Sequence, residues 1–232
     1  MDKKEGLRVL CRKIPRNRLI SLGILVLLMV AATVMNPAFL TADNLLGILA
    51  QNSARGILAL GATFVLMTGG IDLAAENGLT MIAVVASVSH IMTGENLLVL
   101  FGGCLILGAA LGCVNGLLIT RLRLLPFVAT LAMMSIAQGI TLFASEGKIM
   151  FLNHPVTVFI GSGKLFHIIP MPVVIFAGMC VVAYILLNKT KMGTAVYALG
   201  GNKEAAEYSG IQVKREETKV YIFDGICVAV AA

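Results

Sequence analysis

Hydrophobic and polar positions divide the chain into long apolar runs with short polar connections. Seven apolar segments are present: Leu19–Met35, Leu45–Met67, Leu79–Met92, Leu97–Thr120, Pro126–Ala144, Pro170–Leu187 and Val220–Ala232. A helix crosses a bilayer in roughly 20 residues, and most of these runs approach or reach that length. Inside lipid, only helices and closed barrels satisfy their own backbone groups, and runs this long mark helices. The expected fold is all-α, a polytopic transmembrane helical bundle forming one domain over residues 1–232. The third run is short and is expected to continue from a bend at 69–78 as a broken helix. The seventh stops before it could cross, so the chain reads as C-terminally truncated, with further spans missing.

The second run is interrupted at its centre by Gln51, Asn52, Ser53 and Arg55. An arginine at the middle of a spanning helix costs about 3 kcal/mol on insertion scales. Lipid returns nothing for that cost, so these side chains should face protein or a water-filled path. Gln51 and Arg55 are four apart and Asn52 and Arg55 three apart, which places them on one helical face. Two readings stay open. Amides offer both donors and acceptors and suit a hydroxyl-rich solute; alternatively, the patch holds helices together, with Arg55 paired to Asp72 or Glu76.

The same run leads into Gly69-Gly70-Ile71-Asp72-Leu73, followed by Glu76 and Asn77. Paired glycines reach backbone angles closed to other residues, so a helix can break there. A broken helix in a membrane exposes backbone groups that must line a cavity or be packed in protein. An ordinary solvated turn is the competing reading. In the fourth run Gly108, Gly112 and Gly116 form two overlapping G-x-x-x-G steps, which predict close helix packing. Asn115 beside them is a candidate solute contact. In the fifth run Thr130 and Ser135 can bond back to their own helix, whereas Gln138 cannot and is expected to face the interior.

Composition supports this picture: 58% of residues are hydrophobic and 13% charged, with a mean hydropathy of +0.93. A soluble domain has no use for that apolar content. The pI of 9.2 reports topology. With the basic leader inside, fifteen of the eighteen Lys and Arg residues fall on the cytoplasmic side, and only Lys148 and Lys164 fall outside, with Arg55 in the membrane. No tryptophan and no basic–aromatic interleaving are present, which argues against a nucleic-acid partner. The leader and first run have the shape of a signal peptide, but the run is long and many spans follow, so a retained span is expected.

Catalytic and metal motifs are missing. Cys11, Cys104, Cys113, Cys180 and Cys227 form no C-x-x-C pair and read as small buried side chains; His90, His154 and His167 are isolated. There is no G-x-x-x-x-G-K-[ST], and Gly161-Ser162-Gly163-Lys164 is an incomplete lookalike; G-x-S-x-G is also absent. A transport subunit without a metal or cofactor of its own is expected, rather than an enzyme.

Two stretches between runs are long: Ser145–Ile169, read as outside, and Asn188–Thr218, read as inside and polar. In the second, Asn202 is a good N-cap, Glu204 suits the first turn and Gly210 suits a stop, which predicts a two-turn helix outside the membrane. Ala205, Ala206 and Tyr208 give it small, partly apolar surfaces that could dock in a partner's groove; a solvated loop helix is the alternative.

GGIDL at 69–73, LPFVATLAMMSI at 125–136 and ALGGNKEAAEYSGI at 198–211, in this order, resemble membrane permease subunits of bacterial ABC importers for simple sugars, the ribose, xylose, galactose and autoinducer-2 type. The resemblance implies a core of two permease copies, alike or different, in the inner membrane with the N-terminus cytoplasmic. It also implies a separate cytoplasmic ATPase and an extracytoplasmic solute-binding protein. Gln51, Asn52, Arg55, Asn115 and Gln138 are then the expected substrate path. Gly69, Gly70, Asp72 and Glu76 form the bend, and Asn202, Glu204, Ala205, Ala206 and Gly210 the ATPase coupling element. The sequence departs from the family pattern at Ala74-Ala75-Glu76-Asn77, where Glu76 adds a charge beside the bend. A nucleoside or branched-chain amino-acid permease and an ATPase-independent carrier are the alternatives.

Overall fold

The computed structural model describes residues 16–94 and 96–232; residues 1–15 of the basic leader, with Cys11, lie outside the described residues. The chain divides into two units, up to Ile48 and from Leu49 onwards. In the first, helix α1 (Arg16–Met35) is followed by a single 3-10 turn (Pro37–Leu40). Asn36 caps that turn, its side-chain oxygen accepting from the Ala38 amide at 3.0 Å. Helix α2 (Ala42–Met67) begins in this unit and continues into the second.

The second unit continues with α3 (Ala75–Met92), α4 (Leu97–Thr120) and α5 (Pro126–Ser145). Next come α6 (Pro155–Ser162) and a small hairpin, β1 (Lys164–Leu165) paired antiparallel with β2 (Ile169–Pro170). Helices α7 (Met171–Lys189), α8 (Lys191–Gly201), α9 (Lys203–Tyr208) and α10 (Val213–Ala231) complete the order. Local chemistry sets many of the boundaries. Asn96 caps α4 through the Leu98 amide at 2.9 Å, proline stands in the first turn of α5, α6 and α7, and α5 ends on left-handed Glu146 and Gly147.

The structure is all-α apart from that hairpin, as the pattern predicts, and helices α2, α3, α4, α5 and α7 are long and apolar enough to cross a membrane. No more than 33% of the apolar window of any of the five is buried. Their hydrophobic side chains point outward, the arrangement a lipid solvent selects.

The third run continues from the bend as expected: its helix starts at Ala75, where Asp72 turns the chain by accepting from the Ala74 amide at 2.7 Å. Two details differ from the sequence reading. The long connections are structured: α6 and the hairpin occupy 145–169, and α8 precedes the predicted α9 in 188–218. The last run is the apolar part of a helix that begins seven residues earlier, its polar first turns carrying a Glu216–Lys219 ion pair at 2.6 Å.

Helix α10 sits between two hydrophobic clusters. One joins Phe64 and Val65 of α2, Ala183 of α7 and Val196 of α8 to Tyr221, Phe223 and Cys227; the Phe64 and Phe223 rings lie 4.6 Å apart. The other joins Met81 and Ile82 of α3, Leu111 of α4 and Ala137 of α5 to Val228 and Ala229.

The glycine repeat builds the seam between α4 and α10. A Cβ on Gly112 would strike the Tyr221 carbonyl and stand 2.9 Å from Ile222 Cα; one on Gly108 would strike the Gly225 carbonyl and stand 2.6 Å from Ala229 Cβ; one on Gly116 would stand 3.0 Å from Thr218 Cα. Gly225 reciprocates against the Gly108 carbonyl. The order of these contacts makes the pair antiparallel, and the Thr120 and Thr218 hydroxyls meet at 3.1 Å at its end. Backbones thus approach as closely as small residues permit.

Candidate functional site

The break between α2 and α3 is partly packed in protein, with Gly69 and Ile71 exposed. Thr68, Gly70 and Ala74 are buried, and Gly69 takes φ +79°. The Gly70 amide donates back to the Val65 carbonyl at 3.0 Å, and the Ile71 carbonyl lies 3.3 Å from the Thr130 hydroxyl of α5. Thr130 is one turn inside α5, so the break lies level with the helix interior rather than beyond its end. Asp72 is half-buried and Glu76 exposed.

Two side chains that the sequence reading did not single out converge on this break. Tyr221 of α10 is buried, and its hydroxyl packs where a Cβ on Gly70 would stand, 2.5 Å away. Asp224, one turn further, is also buried, and its carboxylate packs against Gly61 of α2. Asp72 faces both across the break, its carboxylate against that of Asp224. The Tyr221 hydroxyl and both side-chain polar atoms of Asn115 are buried with no hydrogen-bond partner, and both Asp224 oxygens are buried. Buried polar groups left without a partner are rare and costly. A signal was available: Asp224 is the lone acid in the run VYIFDGICVAVAA.

The expected path residues do not assemble in one place. Asn115 is enclosed on the seam face of α4, three residues from Gly112. Gln51, Asn52 and Arg55 lie exposed on α2, and among the described residues Arg55 pairs with neither Asp72 nor Glu76. Gln138 is also exposed, a correction to its expected interior position. The face of α5 pointing inward is the one carrying Ala129, Thr130 and Ala137, and 138 falls to its side. Gln138 instead lines an open groove of ≈ 240 Å³ with Thr141 and with Asn77 and Thr80 of α3. The Asn77 amide ties the two helices by donating to the Met134 carbonyl at 3.3 Å. Thr130 and Ser135 bond back to Pro126 and Leu131, at 2.9 and 3.3 Å.

Helix α9 forms where its caps predict. The Asn202 side chain accepts from the Ala205 amide at 3.0 Å, Glu204 stands in the first turn, and Gly210 takes φ +86° after the end. Glu204 and Ala205 are exposed, while Ala206 turns inward, so the outer surface is smaller than the sequence suggests. Helix α8 anchors α9 to the core: Val196 and Leu199 are buried, and Gly200 rests against the Met67 carbonyl at the end of α2. Of the cysteines, Cys227 is buried and Cys104, Cys113 and Cys180 are half-buried; all four are free.

Outward-facing apolar helices, a helix break between two of them and buried polar groups beside that break define a polytopic helical membrane protein. The chain belongs to the family described as branched-chain amino acid transport system / permease component, whose model matches residues 44–232. It is 35% identical over 214 residues to the ribose import permease protein of Escherichia coli (strain K12), covering 90% of this chain and 66% of that protein. The ribose import permease protein of Bacillus subtilis (strain 168) is 37% identical over 218 residues, covering 89% and 64%. The D-allose transport system permease protein of Escherichia coli (strain K12) is 32% identical over 199 residues, covering 83% and 59%. The chain thus spans slightly under two thirds of the ribose permeases. No solved structure matches it.

Proposed function

We propose that the chain is the membrane-spanning part of an ABC importer in the bacterial inner membrane, moving a monosaccharide or similar small polar solute. The observation that carries this reading is the groove directly after the helix break, where Asn77, Thr80, Gln138 and Thr141 stand with Leu142. Amides and hydroxyls bind uncharged polyols by paired donors and acceptors. The names of the relatives, for ribose and allose, support a sugar. At ≈ 240 Å³ the groove is below the range of about 300–1,000 Å³ for small-molecule sites. A second permease copy closing over it would complete the path, and would also cover the exposed Gln51, Asn52 and Arg55.

ATP hydrolysis belongs to a separate cytoplasmic subunit, and solute delivery to an extracytoplasmic binding protein. In this reading the ATPase grips α9 through Glu204 and Ala205. Motion of α9 passes through α8, whose Val196 and Leu199 are seated in the core, to the end of α2. The break at 68–74 absorbs it, so the groove on α3 and α5 opens to one side or the other. The N-terminus is cytoplasmic on the distribution of basic residues.

Uptake of labelled ribose in cells making the chain with its ATPase and binding protein tests this. Unlabelled ribose or allose should compete, and leucine should not. Competition by leucine instead would favour the branched-chain amino-acid reading that the family's description suggests. Uptake that survives ATP depletion and collapses with the ion gradient would replace the importer with a secondary carrier.

A further inference from the structure

A second cavity, of ≈ 900 Å³, opens where the end of α4 meets the start of α10. Four basic side chains line it, Arg121, Lys214, Arg215 and Lys219, against one acid, Glu207. Lys219 is neutralised by Glu216 at 2.6 Å, but Arg121, Lys214 and Arg215 form no ion pair among the described residues. Lys214, Arg215 and Lys219 share the first turns of α10, and the fold brings Arg121, just past the end of α4, against them. The same cavity is lined by Leu117, one turn inside α4, and Ile222, about two and a half turns inside α10, and Leu117 continues onto the exposed apolar face of α4 with Val114. The cavity is therefore cationic at its mouth and apolar toward the membrane.

A soluble anion would use only the first half of this lining, and an apolar ligand only the second. We propose that the cavity seats the headgroup of an anionic phospholipid, its phosphate between Arg121, Lys214 and Arg215 and its acyl chains running down Leu117 and Ile222. Basic pockets at the cytoplasmic ends of spanning helices recognise phospholipids by this combination of charge and hydrocarbon. The site does not depend on which solute the protein carries.

The full chain is placed in phosphatidylcholine nanodiscs containing a trace of photoactivatable phosphatidylglycerol, and labelled peptides are mapped. Labelling should concentrate on 117–121 and 213–222 and be displaced by unlabelled phosphatidylglycerol but not by phosphatidylcholine. Arg121→Gln/Lys214→Gln/Arg215→Gln replaces three exposed side chains and should lower that labelling about tenfold or more, since each interfacial charge adds a sizeable part of a decade. Lys189→Gln/Lys191→Gln, on the same side but outside the cavity, should leave it unchanged. Equal labelling by a phosphatidylcholine probe, or no effect of the triple substitution, would reduce the contact to ordinary bulk lipid and overturn the site. Displacement by inorganic phosphate would assign the cavity to a soluble anion and also overturn it. The competition arm uses the unaltered chain, so the test stands even if the triple variant fails to fold.

Discussion

The α4–α10 seam and the α3–α5 groove both place small or polar residues within spanning helices, yet they are built in opposite ways. In the seam, Gly108, Gly112 and Gly225 bring backbone against backbone, and the polar groups of Asn115 are sealed in. In the groove, α3 and α5 are held by the Asn77–Met134 hydrogen bond, and Gln138 and Thr80 stay open. The seam has no room for an added methyl group, whereas Gly139 on the groove helix has open space beside it.

The largest effect should come from Gly112→Leu. Its side chain has only the Tyr221 carbonyl and Ile222 Cα to meet, and overpacking against backbone should cost about 3 kcal/mol or more. Gly139→Leu, on the groove helix with nothing within 4 Å of an added Cβ, should change stability by less than about 0.5 kcal/mol. Thermal inactivation of the two variants in detergent measures the contrast, and equal losses would erase the distinction between the regions.

Asp224→Asn keeps the shape of the side chain and removes a buried charge facing Asp72, so the protein should still fold. If the group serves transport, uptake should fall about tenfold, equivalent to about 1.4 kcal/mol. Normal uptake by folded Asp224→Asn would make the carboxyl a tolerated packing element. Gln138→Ala removes one neutral hydrogen bond to solute, about 0.5–1.5 kcal/mol, so the half-saturation concentration should rise roughly three- to tenfold with the maximal rate kept. An unaltered half-saturation would move the path away from this groove. The smallest effect is at α9. Asn202→Ala removes the cap at a cost of about 1 kcal/mol, and hydrogen exchange at the Ala205 and Ala206 amides should quicken about fivefold while the seam stays protected.

What the sequence revealed follows from how local each feature is. The spans, the break after Gly69-Gly70 and the α9 caps depend on neighbouring residues and were legible. The glycine repeat announced a close contact but not its partner, because the fit requires Gly225 on another helix. Helix α8 was missed because ALGG at its end reads as a loop and only its docking on α2 makes it a helix worth forming. Tyr221 and Asp224 were missed for the same kind of reason: their meaning lies in the spaces left by Gly70 and Gly61, more than 150 positions away. Gln138 was placed inward by an argument about solvation that counted only the chain's own interior, whereas an open groove beside a polar neighbour satisfies it as well.

The carbonyl of Met67 rests on Gly200 with no side chain between them. A lever delivers its stroke only about a firm fulcrum, and here the short arm ends at Asn202 while the long arm is the last turn of α2. In the proposed importer, with nothing compressible at the pivot, a push on α9 passes to α2, and a single added methyl at position 200 would strike the Met67 carbonyl and force the two arms apart.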